Sequence, residues 1–222
     1  MYWILFGGIA LVSFLVQWNL KNKFEKYGKI LLPNRMTGKD IAIKMLHDNG
    51  IYDVRVISTP GQLTDHYNPV DKTVNLSEDV YNDCSVAAAA VAAHECGHAL
   101  QHEAGYLPLK LRSVSVPIAN FGSWLSWPVI LLGLILGYGQ LAQIGVLLFT
   151  LVVLFQLITL PVEFNASHRA IDRLVDDGFL ASDEIGGAKK VLSAAAMTYV
   201  AAAFAAVAQL LRLIAIFGRR DD

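Results

Sequence analysis

The fold class is decided by residues 113–162, which read SVSVPIANFGSWLSWPVILLGLILGYGQLAQIGVLLFTLVVLFQLITLPV. These fifty residues contain no Asp, Glu, Lys or Arg. A hydrocarbon layer about 30 Å thick is crossed by roughly 20 apolar helical residues. The stretch therefore predicts a hairpin of two membrane-spanning helices, over residues 117–137 and 141–160, with a turn at Gly137-Tyr138-Gly139.

Two other stretches, residues 1–20 and 191–211, also contain no charged residue. Charged residues make up 17% of the chain, against about 25% in soluble domains. The first stretch lacks the positive start and the small-residue cleavage site of a signal peptide, so we interpret it as a retained anchor. The last is rich in alanine and is flanked equally by Lys189-Lys190 and Arg219-Arg220. It either crosses the membrane or lies against the other helices.

Residues 21–112 have the composition of a water-facing α+β unit. Caps, turns and alternating apolar residues predict its elements. These elements are a helix capped by Thr37 and ending near His47, strands at 53–57 and 73–76, a hairpin connection at 67–72, a turn capped by Ser77, and an alanine-rich helix from Val86 to about His102 that Ser85 opens. The chain is thus predicted to be a mainly α membrane protein with transmembrane helices and a small α+β zincin-like catalytic unit.

The alanine-rich helix contains the sequence His94-Glu95-Cys96-Gly97-His98. Residues i and i+4 lie on one face of a helix, so both imidazoles can bind one zinc ion at about 2.0–2.1 Å. Glu95 is offset by one residue and can act as general base towards a zinc-bound water. The bare pattern also arises by chance on surface helices. Here it lies in a helix of low polarity, where one metal ion would explain three residues that are costly to bury.

A catalytic zinc ion normally has a third protein ligand. His102 lies about 12 Å along the helix from His94, too far to share the ion. Gln101 and Ala104 stand where the metzincin pattern requires Gly and His, which excludes that pattern. Glu163 follows an apolar run at the predicted start of a polar helix, on the same membrane side as the motif. A solvated helix-start carboxylate is the alternative, and Asp176-Asp177-Gly178 is a rival ligand segment.

Lysine and arginine placement predicts the orientation, because positive residues accumulate in cytoplasmic loops. Residues 21–112 and 163–190 should therefore face the cytoplasm. The positive residues that indicate this are Lys21, Lys23, Lys26, Lys29, Arg35, Lys110, Arg112, Arg169 and Arg173. Candidates for stabilising an oxyanion are His66, His168 and Arg169, each with an ordinary surface role as the alternative. Strand 73–76 either pairs with an extended substrate or belongs to the core.

Four segments carry a resemblance to a known family: 61–67 (GQLTDHY), 92–102 (AAHECGHALQH), 122–128 (GSWLSWP) and 161–167 (PVEFNAS). Together they resemble the YugP-like family of bacterial membrane zinc metallopeptidases. The resemblance implies that His94 and His98 are zinc ligands and that Glu95 is the catalytic base.

The chain is more distantly similar to gluzincin membrane proteases of the HtpX and CAAX-processing type. In those proteins the third ligand is the glutamate of a Glu-x-x-Ala-Asp pattern, and Glu163-Phe164-Asn165-Ala166 matches it. Ser167 stands where the aspartate would orient a ligand histidine. This resemblance implies that Glu163 is the third ligand, with the orienting role open to Ser167, Asn165 or Asp172.

These observations predict a membrane-embedded zinc metalloendopeptidase that acts on peptide or membrane-protein substrates. We expect it in the bacterial inner membrane, with its active site facing the cytoplasm. The alternatives are an inactive zinc-binding scaffold or sensor, and a transporter or structural membrane protein that binds no metal. The net charge of −1 does not distinguish between functions, but the sequence has no basic face, so no nucleic-acid partner is expected. The predicted parts are an anchor (1–20), a cytoplasmic α+β part (21–112), a transmembrane hairpin (113–162), a helix with the third ligand (163–190) and a C-terminal apolar helix (191–222).

Overall fold

The computed structural model describes residues 2–217, with side chains described from Gly7 onward. Its contacts divide these residues into two compact units. The unit that we call the mixed unit comprises residues 11–106 and 163–198. The other, which we call the helical unit, contains residues 107–162, the start of the first helix and residues 199–217.

The mixed unit has the helices and strands that the sequence predicts, with one addition. In chain order its own elements are α2 (Gly38–Asp48), β1 (Arg55–Thr59), β2 (His66–Asn68), β3 (Thr73–Ser77), α3 (Glu78–Tyr81) and α4 (Val86–Glu103). It also includes parts of the long helices α1 (Tyr2–Tyr27), α6 (Gly139–Asp176) and α7 (Ile185–Phe217).

Both strong helix caps in this unit are confirmed. The Thr37 side chain accepts a hydrogen bond from the backbone of Asp40, whose carboxylate in turn accepts from the backbone of Thr37. The Ser85 hydroxyl accepts from the backbone N–H of Ala88 at 3.2 Å. Such caps satisfy backbone donors that have no partner inside the helix. Ser77 precedes α3 without a side-chain cap.

The sheet has the strand order β1-β3-β2, with β1 parallel and β2 antiparallel to β3. β3 is central and buried along its whole length. The hypothesis that residues 73–76 pair with a substrate is therefore wrong, because both edges of that strand are occupied. β1 lies two residues later than predicted. β2 was predicted only as a connection, since three residues are too few to show alternation.

The core of the mixed unit lies between α2, β3 and α4. Ile41 and Met45 of α2, and Val74 and Leu76 of β3, are fully buried. The α4 side of this core is made almost entirely of alanine methyl groups. Small side chains let neighbouring backbones approach closely, so other helices can pack tightly against α4.

The helical unit contains α5 (Leu107–Ile135), α6 up to Val162 and α7 from Tyr199. Among the described residues, α5, α6 and α7 are long and apolar enough to cross a membrane. A Cβ added at Gly133 would lie 2.5 Å from the Ala142 backbone nitrogen. Small residues at helix contacts are typical of membrane bundles. α5 and α6 are consecutive helices joined by a turn, with Gly137 in the left-handed region (φ 67°), and the membrane crossing of this hairpin stays a prediction.

The predicted helix boundaries at Pro117 and Pro161 are wrong. α5 begins at Leu107 and continues through Pro117, and α6 continues through Pro161 to Asp176. Glu163 therefore lies inside a long helix, not at the start of a new one. Prolines are tolerated within membrane helices, where neighbouring groups can satisfy the freed carbonyl. The anchor over 1–20 stays a prediction, because it includes Met1 and side chains outside the described part. The end of the predicted segment 191–222, from residue 218 onward, also lies outside it.

Candidate metal centre

Three side chains that are distant in sequence converge in the mixed unit. His94 and His98 lie one turn apart on α4, and Glu163 reaches them from α6. Glu163 Oε2 lies 3.3 Å from His94 Nε2 and 3.6 Å from His98 Nε2. The two imidazole rings meet edge to face, with centroids 4.8 Å apart. Two ring nitrogens and one carboxylate oxygen therefore point into one small volume.

The donor set and its spacing fit a zinc ion. Zinc binds imidazole nitrogen and carboxylate oxygen at about 2.0–2.2 Å, so the ligand atoms of a tetrahedral site are about 3.3 Å apart. The Glu163 oxygen lies 3.3 and 3.6 Å from the two ring nitrogens. The three ligand atoms lie within 4.8 Å of one another. Two histidines, one glutamate and one open position form a typical catalytic zinc site.

A close contact between α4 and α6 makes this convergence possible. A Cβ added at Gly97 would lie 2.5 Å from the carbonyl oxygen of Ala166, closer than real side chains come. Gly97 stands between the two histidines, and Ala166 lies one turn beyond Glu163. The glycine within the motif therefore allows α6 to approach near enough for Glu163 to reach the imidazoles.

The second nitrogen of each imidazole has a polar partner. The Ser167 hydroxyl lies 3.1 Å from His94 Nδ1, and the Gln101 Oε1 atom lies 3.0 Å from His98 Nδ1. Both contacts leave the Nε2 atoms directed at Glu163. Of the predicted orienting residues, Ser167 contacts a ligand histidine directly. Gln101 was not predicted for this role, although its position three residues after His98 on a helix indicates such a contact.

Glu95 is buried next to the three converging side chains. Desolvation raises its pKa to about 7, with contributions from the charges of Glu163 and Asp65, while His94 and the backbone N–H of Tyr67 lower it. The Tyr67 N–H belongs to strand β2, so the general-base candidate lies between α4 and the edge of the sheet. A pKa near neutral is suited to taking up and returning a proton at physiological pH.

The other predicted residues lie elsewhere in the mixed unit. His66 is exposed on β2, with its Nδ1 atom 2.8 Å from the carbonyl oxygen of Thr64. His168 is exposed on α6 and lies 3.5 Å from Asp172. Neither contacts the converging side chains in the described part of the chain. The metal-binding group found there contains His94, His98 and Glu163, without Asp176 or Asp177.

Asn165 and Arg169 lie on α6, where they contact each other. Arg169 Nε donates to Asn165 Oδ1 at 2.9 Å, and the same oxygen accepts from Gln101 Nε2 at 3.0 Å. The guanidinium also lies over the ring of Tyr106, 5.9 Å from its centroid. His102, excluded as a ligand by its distance along the helix, has Nδ1 2.7 Å from the hydroxyl of Tyr67.

Comparison with known proteins identifies the family. The profile of a family described as "Putative neutral zinc metallopeptidase" matches residues 2–218. The chain is 48% identical over 212 residues to the "Putative membrane protease YugP" of Bacillus subtilis (strain 168), covering 95% of this chain and 94% of the relative. No solved structure matches the chain. The resemblance noted in the sequence is confirmed, and the chain belongs to the neutral zinc metallopeptidase family.

Proposed function

We propose that this protein is a membrane-embedded zinc endopeptidase in which His94, His98 and Glu163 bind zinc and Glu95 is the general base. One observation carries the proposal. A carboxylate oxygen of α6 lies 3.3 and 3.6 Å from two ring nitrogens of α4, beside a buried glutamate. The zinc-binding character of the family and the membrane protease among its relatives support it.

The chemistry follows from where these groups lie. Zinc in this site would polarise the scissile carbonyl and acidify the attacking water. The Glu95 carboxylate would accept a proton from that water and donate it to the leaving amine. Burial keeps bulk water away from Glu95, so the proton stays with the reacting groups.

Strand β2 supplies a surface on which an extended peptide can lie. It is an edge strand of the sheet, bonded to β3 on one side. Its Tyr67 N–H interacts with Glu95, so the strand passes beside the general base. Extended peptides bind such edges through main-chain hydrogen bonds. We propose that the substrate, a peptide or an extended segment of a membrane protein, lies along β2.

The three apolar helices and the membrane protease relative support a membrane location. The positive residues around the mixed unit support a cytoplasmic active site. We propose the bacterial inner membrane, with catalysis on its cytoplasmic side. A zinc-binding scaffold without activity is the second candidate, but such a protein has no need of a buried glutamate beside the metal.

The test is a Glu95→Gln substitution in the full-length protein, purified in detergent. The variant should keep the zinc of the wild type, measured by elemental analysis. Its cleavage of a peptide library, followed by mass spectrometry, should fall by about 100-fold or more, because general-base catalysis contributes about 10²–10⁴. Glu103→Gln, which changes an exposed glutamate at the end of the same helix, is the matched control and should keep full activity.

The outcomes separate the candidate functions. Equal cleavage by the wild type and Glu95→Gln would remove Glu95 from the mechanism. Zinc in the wild type without cleavage of any peptide would favour the scaffold. Wild-type protein prepared with zinc present yet containing none would contradict the metal site itself, and so would full zinc content in a Glu163→Ala variant.

A further inference from the structure

We propose that Arg169, Asn165 and Gln101 form a polarised chain of hydrogen bonds that fixes which nitrogen of His98 carries its proton. The chain holds Nδ1 as the donor, so the lone pair of Nε2 points towards Glu163. These three are positioning residues, because they act through His98. The inference deepens the proposed function and rests on His98 being a zinc ligand.

The polarity originates at Arg169. A guanidinium group has only donors and stays protonated, so the atom that faces it must be an acceptor. Arg169 Nε lies 2.9 Å from an oxygen of Asn165. The Asn165 amide is thereby fixed with Oδ1 towards Arg169. The position of the guanidinium over the Tyr106 ring holds this donor in place.

The second step passes from Asn165 to Gln101. The same Oδ1 atom lies 3.0 Å from Gln101, which must present its amide nitrogen to an acceptor. Gln101 is fully buried on α4, so an unsuitable orientation of its amide would be costly. With its nitrogen towards Asn165, Gln101 presents its oxygen to His98.

The third step fixes the histidine. Gln101 Oε1 lies 3.0 Å from His98 Nδ1, so that nitrogen must carry a proton and donate. A neutral imidazole has one proton, which leaves Nε2 as an acceptor. That atom lies 3.6 Å from Glu163 Oε2, on the side where zinc would bind. Since Asn165 and Glu163 share α6, one helix supplies a ligand and also orients a second ligand on α4.

The contact at the Nδ1 atom of His94 is of a different kind. Its partner there is the Ser167 hydroxyl, which can rotate to donate or accept. A hydroxyl therefore supports either tautomer. The two histidines therefore differ, because the position of the proton is fixed in His98 and not in His94. A change at Arg169 should act on zinc binding through His98.

Arg169 variants of the full-length protein test the proposal, because two explanations predict opposite changes in zinc affinity. Removing a positive charge near a cation site should tighten zinc binding by simple electrostatics. The hydrogen-bond chain predicts the reverse: Arg169→Met should weaken zinc binding about 10–100-fold, the usual cost of losing an orienting partner. Arg169→Lys, which keeps a donor, should stay near the wild type. Arg169→Glu should bind zinc most weakly. A carboxylate at position 169 accepts hydrogen bonds, so the amides of Asn165 and Gln101 would both have to reverse their orientation. Zinc dissociation constants from chelator competition measure this series.

Arg173 supplies the matched controls, since it lies one turn further along the same helix and lines the same surface cleft as Arg169. Arg173→Met and Arg173→Glu should leave zinc affinity unchanged. Melting temperatures of all variants, measured with and without zinc, separate a loss of folding from a loss of binding.

A spectroscopic readout reports on the histidine itself. In zinc-loaded protein labelled with ¹⁵N-histidine, the His98 Nδ1–H signal, assigned by its loss in His98→Gln, should exchange slowly with water. In Arg169→Met the exchange should accelerate, while the His94 signal changes little. Unchanged or tighter zinc binding in Arg169→Met and Arg169→Glu would overturn the proposal, and so would an unaltered His98 signal. None of these readouts needs a substrate, so they stand apart from the test of peptidase activity.

Discussion

At the scale of single residues, the burial of Glu95 should make the metal-free protein sensitive to pH. Desolvation is the main cause that raises its pKa from 4.5 to about 7. The pKa of Glu95 is higher in the folded protein than in the unfolded chain, so protonation of Glu95 stabilises the fold. This contribution is complete below the pKa of the unfolded chain and is lost as pH rises through about 7. Between about pH 5 and pH 8, the melting temperature of metal-free wild type should fall relative to that of Glu95→Gln.

Thermal melting of the detergent-solubilised protein across this pH range measures the effect, with Glu103→Gln as the control that should follow the wild type. A constant difference between wild type and Glu95→Gln at every pH would contradict it. Added zinc should reduce the difference, because a nearby cation stabilises the carboxylate.

The sequence predicted His94, Glu95 and His98 as residues of the candidate site, since their spacing on a helix restricts where they point. Glu163 was reached through its position and through the family resemblance. The contact between Gln101 and Asn165 could not be derived in the same way. The two residues lie on different helices, so their contact depends on how α4 and α6 pack and rotate, which no local pattern specifies.

At the scale of the elements, the distance between α4 and α6 should control metal binding. Gly97→Ala would place a methyl group 2.5 Å from the Ala166 carbonyl oxygen, so the helices must separate. This displaces Glu163, and we expect zinc affinity to fall by at least about 10-fold, together with a lower melting temperature. Gly186→Ala is the matched control, because a Cβ there meets nothing within 4 Å and alanine favours a helix. Unchanged zinc affinity in Gly97→Ala would show that this contact does not position Glu163.

Elements with strong local signals were predicted well, and the errors share one physical origin. The side chains of Ser85 and Thr37 accept hydrogen bonds from the first turn of the helices that they cap, so a few neighbouring residues are enough to predict these caps. Strand β2 exists because it pairs with β3, and α6 continues past Pro161 in spite of the missing backbone donor. In both cases tertiary surroundings override the local preference.

At the scale of the whole molecule, the charge pattern makes a prediction about orientation. The turn between α5 and α6 has no lysine or arginine nearby, while positive residues accumulate beside the mixed unit. The positive-inside rule therefore places Tyr138 outside the cell membrane and Tyr52 in the cytoplasm. Both side chains are well exposed, at 62% and 73%, so a cysteine at either position can react.

The experiment introduces Tyr138→Cys or Tyr52→Cys into protein whose native Cys84 and Cys96 are replaced by serine and alanine. In intact spheroplasts a membrane-impermeant maleimide should label the cysteine at 138 and leave the one at 52 unlabelled. After lysis both should react, which controls for intrinsic accessibility. Labelling of position 52 from outside would reverse the orientation and place the zinc centre on the external face. Because Tyr52 belongs to the same unit as His94, His98 and Glu163, its labelling reports directly on the side where the proposed peptidase acts.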